Sequence, residues 1–183
     1  MKRLQRASVL TALAEKLRGN GSWCGETHIQ KAAFVLQELM GVPTGFYFIL
    51  YKHGPFSFDL RDELTEMRAD GLMELVPQPY PYGPSLHPTK RSEKLRKQFS
   101  KTIEKNISAI EFVARKLGNK DVAELESLST ALLVTHELEG EASPEDRAKR
   151  LHELKPHLDL NQASSAVEEI DGLIHEAQPL NSD

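Results

Sequence analysis

The sequence contains a single cysteine, Cys24, among its 183 residues. One cysteine cannot form a disulfide within the chain, and it cannot supply a zinc site built from cysteine ligands. No stretch approaches the run of about eighteen apolar residues that a membrane helix needs. These absences exclude a disulfide-stabilised scaffold. They predict a protein without a membrane segment that works in a reducing cytoplasm.

The sequence also lacks the short motifs of common catalytic and cofactor sites. Gly19, Gly21 and Gly25 have neither the ending of a P-loop nor the length of a Rossmann fingerprint. The seven histidines include no HExxH motif and no pair spaced four residues apart, although ligands from separate helices could still converge in space. Nothing around Cys24, or in its spacing to His28, indicates an activated thiol. We therefore expect a non-enzymatic protein with no catalytic residue, no metal and no cofactor.

Charge is divided unevenly along the chain, although the formal net charge is only -4. Residues 90–120 hold ten basic and three acidic residues, whereas residues 121–183 hold four basic and fifteen acidic residues. Such a division is found where a protein has a nucleic-acid-binding or docking face. It is also found where the two segments pair with each other or face water, which is the interpretation that we favour.

The first part of the chain has the pattern of helices that surround one core. Apolar residues predict a first helix over residues 5–18. A second helix is predicted to open at Glu26 and Thr27 and to end at Gly41. Its apolar stripe places it at the centre of the core. His28 and Lys31 fall outside that stripe, so we expect both side chains to point away from the core.

A strand and a turn follow these helices. Aromatic and β-branched residues at positions 46–51 predict a buried strand, and residues 22–24 could form another short strand. His53, Gly54 and Pro55 then turn the chain, and Ser57 is a predicted N-cap of a third helix. Residues 72–76 and 85–87 predict two strands around a loop rich in proline and tyrosine. Helices followed by a two-stranded flap are typical of a winged helix.

Three short segments resemble the YwgA family of bacterial and archaeal proteins. They are residues 29–36, with Ile29, Gln30 and Lys31 at their start, residues 51–57 and residues 154–157. The first two segments also resemble, more distantly, Panacea-type antitoxin domains. The YwgA-like resemblance implies a winged-helix-like fold. The Panacea resemblance implies a non-catalytic protein that neutralises or delivers a partner protein, and it supplies no catalytic residue.

The third helix, over residues 57–70, would be the recognition helix of a DNA-binding winged helix. It carries five acidic residues against Arg61 and Arg68. A negatively charged helix repels phosphate, whose neutralisation supplies most non-specific DNA affinity. This composition disfavours major-groove reading by that helix.

Two functions from different classes remain. The favoured one is a protein-interaction module of antitoxin or adaptor type, which contacts an unidentified protein partner through the flap and the acidic helix. Its candidate contact residues are Tyr80, Tyr82, Asp62 and Glu66, although the flap could instead pack back on its own domain. The alternative is a winged-helix transcription regulator that contacts DNA through the wing and a basic helix bearing Lys94, Arg96, Lys97 and Lys101.

The sequence predicts a mainly α protein with a small β component. A winged-helix-like domain over residues 1–89 leads to a long basic helix over 90–118, a C-terminal helical subdomain over 119–178 and a disordered tail over 179–183. Within the basic helix, apolar residues recur in steps of four and three. This seam either packs inside the chain or joins two copies, so we expect a monomer or a homodimer. The seam residues are Ile103, Ile107, Ile110, Ala114 and Leu117.

Overall fold

The computed structural model describes residues 1–80, 83–138 and 142–181. Over these residues the chain is mainly helical with a small β component, as the sequence pattern predicts. The helices are α1 (Arg3–Gly19), α2 (Glu26–Glu38), α3 (Phe58–Ala69), α4 (Lys90–Gln98), α5 (Ser100–Leu117), α6 (Val122–Glu137), α7 (Pro144–Leu154) and α8 (Leu160–Ala177), followed by a 3-10 turn (Gln178–Asn181). The strands are β1 (Ile49–Tyr51), β2 (Gly54–Phe56), β3 (Met73–Val76) and β4 (Ser85–Pro88), paired antiparallel as β1 with β2 and β3 with β4.

The centre of the core lies between α1, α2 and α5. Leu10 and Leu13 of α1 are fully buried, and α1 packs along α5. Ile110 and Ala114 of the predicted seam are also fully buried, so this part of the seam packs inside the chain. α2 contacts α1, α5 and α6, which explains why almost every side of it is covered.

The C-terminal helices α6, α7 and α8 pack on one another, and α2 joins them to the rest of the chain. Val167 and Ile170 supply the buried face of α8. The buried apolar residues form a single cluster that extends from α1 to α8. The domain division at residues 118 and 119 stays a prediction, because the apolar core continues across it.

The predicted long basic helix is interrupted. Residues 90–117 form two helices that meet at Phe99, whose backbone (φ -108°, ψ 33°) is not helical. The start of α4 agrees with the prediction, since the Thr89 hydroxyl accepts hydrogen bonds from the amides of Arg91 and Ser92. Residues 178–181 form a 3-10 turn that includes the first residues of the predicted disordered tail (179–183), and Pro179 favours such a turn by fixing φ. Residues 182 and 183 lie outside the described part.

The buried strand predicted over residues 46–51 is wrong in extent and in burial. Only Ile49–Tyr51 forms a strand, and its residues are half-buried or exposed. Gln37 explains the shorter strand, because its side-chain amide donates to the carbonyl of Phe46 (2.9 Å) and its amide oxygen accepts from the Phe46 amide (3.0 Å). These bonds occupy the backbone groups that a longer strand would pair.

Residues 22–24 form no strand. Cys24 has a φ of 59°, which interrupts an extended backbone. The following residue, Gly25, forms a single antiparallel bridge with Ser85 of β4. The segment therefore lies beside the β3–β4 pair without forming a strand of its own.

Candidate functional site

The three segments that carry the predicted family resemblance, residues 29–36, 51–57 and 154–157, meet around the β1–β2 turn. We call residues 52–57 the hairpin corner. α2 contributes Gln30 and Lys31 from one side, and Lys155 approaches from the end of α7. A fourth element, α6, contributes Glu126, which no motif or local pattern in the sequence singles out. Segments that lie more than a hundred residues apart in sequence therefore contact the same turn.

Gln30 fixes the end of the hairpin corner to α2. Its side-chain Nε2 donates to the carbonyl of Ser57 (2.9 Å), and its Oε1 accepts from the Ser57 amide (3.0 Å). Both residues are buried, so this pair of bonds satisfies backbone groups that water cannot reach. The Ser57 hydroxyl accepts from the amide of Leu60 (3.2 Å), which confirms the predicted N-cap of α3.

Lys31 lies beneath the hairpin corner and is 1% exposed. The expectation that it points away from the core is wrong, because α6 and the hairpin cover the face of α2 that the sequence left to solvent. Its ammonium group donates to the carbonyl of Pro55 (2.8 Å). Burial lowers the pKa of Lys31 to about 8, with the Glu126 carboxylate opposing this shift and the Lys155 ammonium adding to it.

Glu126 is the only carboxylate among the described groups that contact the hairpin corner. Its Oε2 lies 3.9 Å from Nζ of Lys155, and its Oε1 lies 2.9 Å from Nδ1 of His53. Lys155 is 4% exposed and donates to the carbonyl of Lys52 (3.2 Å). Burial lowers the pKa of Lys155, and Glu126 opposes that shift. Lys31, Glu126, Lys155 and His53 form what we call the corner cluster, in which the Glu126 carboxylate contacts Lys155 and His53 and acts electrostatically on Lys31.

Gly54 brings the hairpin into direct contact with α6. Its φ is +84°, in the left-handed region, and a Cβ at this position would lie 2.7 Å from Oγ1 of Thr130. An L side chain would therefore be strained in its backbone and would also push the hairpin away from α6. Pro55 is buried beside it, whereas the side chain of His53 is 71% exposed.

The outer side of the hairpin carries three aromatic rings that contact one another. Tyr51 and Phe56 lie on paired strands, and Phe58 begins α3. Their ring centroids are 5.6 Å (Tyr51 to Phe56), 5.5 Å (Tyr51 to Phe58) and 5.1 Å (Phe56 to Phe58) apart. Tyr51 is 45% exposed and Phe58 is 40% exposed. We call these three residues the aromatic face, which sequence reasoning missed because it placed residues 46–51 in the core.

The predicted protein-contact residues lie in different settings. Tyr80 is 97% exposed, and Tyr82 lies outside the described residues. Asp62 lies 2.9 Å from the guanidinium group of its neighbour Arg61. Glu66 lies 2.8 Å from the guanidinium group of Arg3 on α1. Neither carboxylate is unpaired.

Two further acidic residues of this region, Glu63 and Asp70, also pair with arginines of α1. Glu63 is buried and lies 2.6 Å from a guanidinium nitrogen of Arg6, and Asp70 lies 2.7 Å from one of Arg3. α3 therefore presents less free acidic surface to DNA than its composition implies. Neutralisation by α1 removes much of the repulsion inferred from composition.

The predicted nucleic-acid candidates do not form one free surface. Lys94, Lys97 and Lys101 are exposed. Arg96 is half-buried, and its guanidinium group pairs with Glu15 of α1 and donates to the Ser92 hydroxyl (3.3 Å). The basic candidates are thus divided between solvent and intramolecular pairing.

Some of the charge division along the chain is explained by pairing between the two segments. Lys116 lies 2.6 Å from Glu176, and Lys120 lies 2.6 Å from Glu169 of α8. The favoured interpretation of the charge pattern is confirmed for these two lysines. The glutamate of each pair is exposed to solvent, so each pair adds little to stability.

Cys24 is fully buried, and its thiol donates to the carbonyl of Ala14 (3.7 Å). Burial raises the pKa of the thiol to about 12, whereas a nucleophilic cysteine needs a lowered pKa.

We expect a thiol reagent at pH 8 to label the native protein at least about a hundredfold more slowly than the urea-unfolded protein. Absorbance follows the labelling reaction. Equal rates for the native and the urea-unfolded protein would contradict the burial of Cys24.

Within residues 1–80, 83–138 and 142–181, no three His, Cys, Asp or Glu side chains are arranged to hold a metal ion. Over the same residues, no helix combines the length and the apolar character required to cross a bilayer.

Comparisons with known proteins leave the resemblance to the YwgA and Panacea families as a prediction. The sequence matches no protein-family model, and a search of curated proteins found no match.

Proposed function

We propose that this protein is a non-catalytic regulatory module that binds a partner protein through the aromatic face. The observation that carries the proposal is a set of three mutually packed rings, of which Tyr51 and Phe58 are each at least 40% exposed. Aromatic residues are enriched at the centres of protein interfaces, and a contiguous exposed apolar patch is typical of an interaction site.

The anchoring of the hairpin supports this proposal. Gln30, Lys31 and Lys155 bond the backbone of the hairpin corner from beneath, and Gly54 is in close contact with α6. The rings therefore stand on a fixed base and lose little conformational freedom when a partner binds. Burying the ammonium groups of Lys31 and Lys155 costs free energy. Their hydrogen bonds to the hairpin backbone hold the turn that presents the aromatic face.

The proposal includes the winged-helix interpretation of the N-terminal domain. In that interpretation α3 is the helix before the wing, β3 and β4 form the wing, and Tyr80 stands on the loop between them as a second contact. Antitoxin-like neutralisation or delivery of a partner, in the cytoplasm, is the activity that the resemblance to Panacea domains implies. The aromatic face gives this interpretation a specific surface.

DNA binding is the alternative function. Exposed Lys94, Lys97 and Lys101, together with the pairing of Glu63 with Arg6, favour it. Against it, Arg96 is paired inside the molecule, and Asp59 and Asp62 lie on the first turns of α3, next to the aromatic face. A protein surface accommodates this mixture of rings and carboxylates better than a phosphate backbone does.

Photo-crosslinking identifies the partner and tests the surface together. A photoreactive phenylalanine at position 58 is expected to capture one protein from the native host in stoichiometric amount, whereas the same group at Glu168, an exposed position of α8, is expected to capture none. The captured protein is then purified and titrated against the full chain. Capture at both positions equally, or self-capture alone, would contradict the proposed surface.

The aromatic residues are expected to dominate the affinity of that purified complex. Tyr51→Ala and Phe58→Ala should each raise Kd by about thirtyfold, which corresponds to about 2 kcal/mol for an interface hot spot. Tyr47→Ala is the matched control, because Tyr47 is 76% exposed and is not one of the three packed rings. Its Kd should change by less than about threefold. Nanomolar duplex binding that weakens with salt and requires Lys94 and Lys97 would instead establish the alternative.

A further inference from the structure

A cavity of about 330 Å³ lies between the start of α2, the outer side of α3 and the β3–β4 pair. We call it the α3 groove. Its apolar lining includes Trp23 before α2, Leu64 of α3 and Leu86 of β4. Leu75 of β3 also lines the groove and is exposed, so the apolar lining reaches the surface of the protein. Grooves of this kind receive the apolar side chains of a partner in several modes of peptide recognition.

One side of α3 connects the α3 groove to the aromatic face. Four exposed residues recur there in steps of three, four and three, which places them in one stripe along the helix: Phe58, Arg61, Thr65 and Arg68. The last three line the groove, and the guanidinium carbon of Arg61 lies 5.1 Å from the ring centroid of Phe58. At a rise of about 1.5 Å per residue the stripe is about 15 Å long. The groove and the aromatic face therefore form one continuous surface, as long as about three turns of a helix.

The tryptophan side of the α3 groove is held in place. The ring of Trp23 lies against Gly25, where a Cβ would be 2.5 Å from Nε1 of the ring. The ring of His28 also contacts it, with ring centroids 4.8 Å apart. His28 is 2% exposed, which corrects the expectation that it points away from the core, and its Nε2 donates to the carbonyl of Lys120 (3.1 Å). Because these contacts already fix the ring, the groove can receive an apolar side chain with little rearrangement.

Arg68 supplies a charge at the end of the stripe that lies farthest from the aromatic face. It is exposed at the groove, and its guanidinium group forms no ion pair and no hydrogen bond with any residue that the structure describes. Arg61, in contrast, donates to Asp62. Glu26 also lines the groove but does not pair with Arg68. An unpaired guanidinium group beside an apolar groove favours a partner with a carboxylate at that point.

The strand that borders the α3 groove is not open to an added strand. One edge of β4 pairs with β3. On its other edge, Gly25 bridges Ser85, and the amide of Leu86 donates to the carbonyl of Cys24 (2.9 Å). The groove therefore offers a partner side chains instead of the backbone groups of β4, which favours a helix in the groove over strand addition.

We propose that the partner protein binds through an amphipathic helix that lies along the stripe of α3. Its apolar residues, spaced three and four apart, contact the aromatic face at one end and enter the α3 groove beside Trp23 and Leu86 at the other. An aspartate or glutamate of the same helix pairs with Arg68. This inference rests on the proposed function, because it names the segment of that partner which binds the aromatic face and continues beyond it.

Photo-crosslinking at two points of the stripe tests the occupant. A photoreactive phenylalanine is placed at position 65 of the full chain, beside the variant at position 58, and mass spectrometry maps the crosslinked residues of the captured protein. Both variants should capture the same protein. The two crosslinked residues should lie about seven apart in one segment, because positions 58 and 65 are about 10 Å apart along α3. That segment should contain an acidic residue and apolar residues spaced three and four apart.

The mapped segment is then synthesised as a peptide without tryptophan and titrated against the full chain. Trp23 is the only tryptophan, so its fluorescence reports binding in the α3 groove directly. Arg68→Gln is expected to weaken peptide binding by about tenfold. Replacement of the acidic residue of the peptide by its amide should cost as much, but should add nothing in the Arg68→Gln background. Arg91→Gln, an exposed arginine outside the groove lining, should leave Kd unchanged.

The outcomes separate this inference from the proposed function. Capture at position 58 without capture at position 65 would overturn the helix and leave the proposed function standing. Capture at position 65 alone, or at neither position, would overturn both. Crosslinked residues about three apart would show an extended segment, and capture of a second copy of this chain would show self-association, so either result overturns the helix. Unchanged peptide affinity in the Arg68→Gln variant would also overturn it.

Discussion

Replacement of Gly54 by alanine is expected to lower the free energy of unfolding by about 3 kcal/mol. Two costs add at this position. A non-glycine residue at φ +84° is disfavoured by about 1 to 2 kcal/mol, and its Cβ would lie 2.7 Å from Oγ1 of Thr130. Relief of that contact requires the hairpin to move off α6, which would stretch the bond from Lys31 to the carbonyl of Pro55.

Gly45→Ala is the matched control for this substitution. Gly45 has a φ of +77°, close to that of Gly54, but no described atom lies within 4 Å of the point that a Cβ would occupy there. Its replacement should cost only the backbone part, about 1 kcal/mol. Urea unfolding of both variants measures the two losses in unfolding free energy. The comparison is valid when the slope m of that free energy against urea concentration is unchanged. Equal losses would show that the contact with Thr130 is not tight, and Thr130→Ala should recover part of the loss only in the Gly54→Ala background.

Local features of the fold were predictable because they depend on residues a few positions apart. Ser57 caps the helix that its sequence context predicts, since an N-cap needs only a hydroxyl and the amides two or three residues later. The β3–β4 pair was also predicted, because proline and glycine mark the turn between two strand-like segments.

The candidate site was not predictable in the same way, because its contacts join distant parts of the chain. Lys31 lies on the side of α2 that the sequence pattern assigns to solvent. It is buried only because α6 and the hairpin pack against that side. Glu126 has no local signal, since its partners Lys155 and His53 lie far away in sequence. The resemblance to the YwgA family selected the segments that contain Gln30, His53 and Lys155, but it did not show that they meet.

The aromatic face was missed for a related reason. Tyr51 reads as part of a buried apolar run, and the pairing of β1 with β2 places its ring and that of Phe56 beside Phe58. Only the register of the hairpin determines which side of a two-stranded ribbon reaches solvent.

Replacement of Glu126 by glutamine is expected to lower the free energy of unfolding by about 3 kcal/mol at pH 7. Glutamine keeps the shape of the side chain but removes a negative charge that lies 3.9 Å from Lys155 and opposes the lowering of the Lys31 pKa. Both ammonium groups are at most 4% exposed, so water cannot replace the lost carboxylate. Glu169→Gln is the matched control, since Glu169 pairs with Lys120 at 2.6 Å but is 46% exposed, and its loss should cost less than about 1 kcal/mol.

The pH dependence of this loss distinguishes a charge effect from a packing defect. The pKa of Lys31 in the folded protein is about 8, below its ordinary value of 10.5, so between these values the unfolded chain binds more protons. Stability contributed by this group therefore rises with pH across that window. Glu126→Gln should lower the folded pKa of Lys31 further, so its penalty should shrink as pH is raised from 7 to about 10, because the ammonium loses its charge there. Urea unfolding at the two pH values measures this, and a penalty that stays constant would mean that Glu126 acts through packing instead of charge.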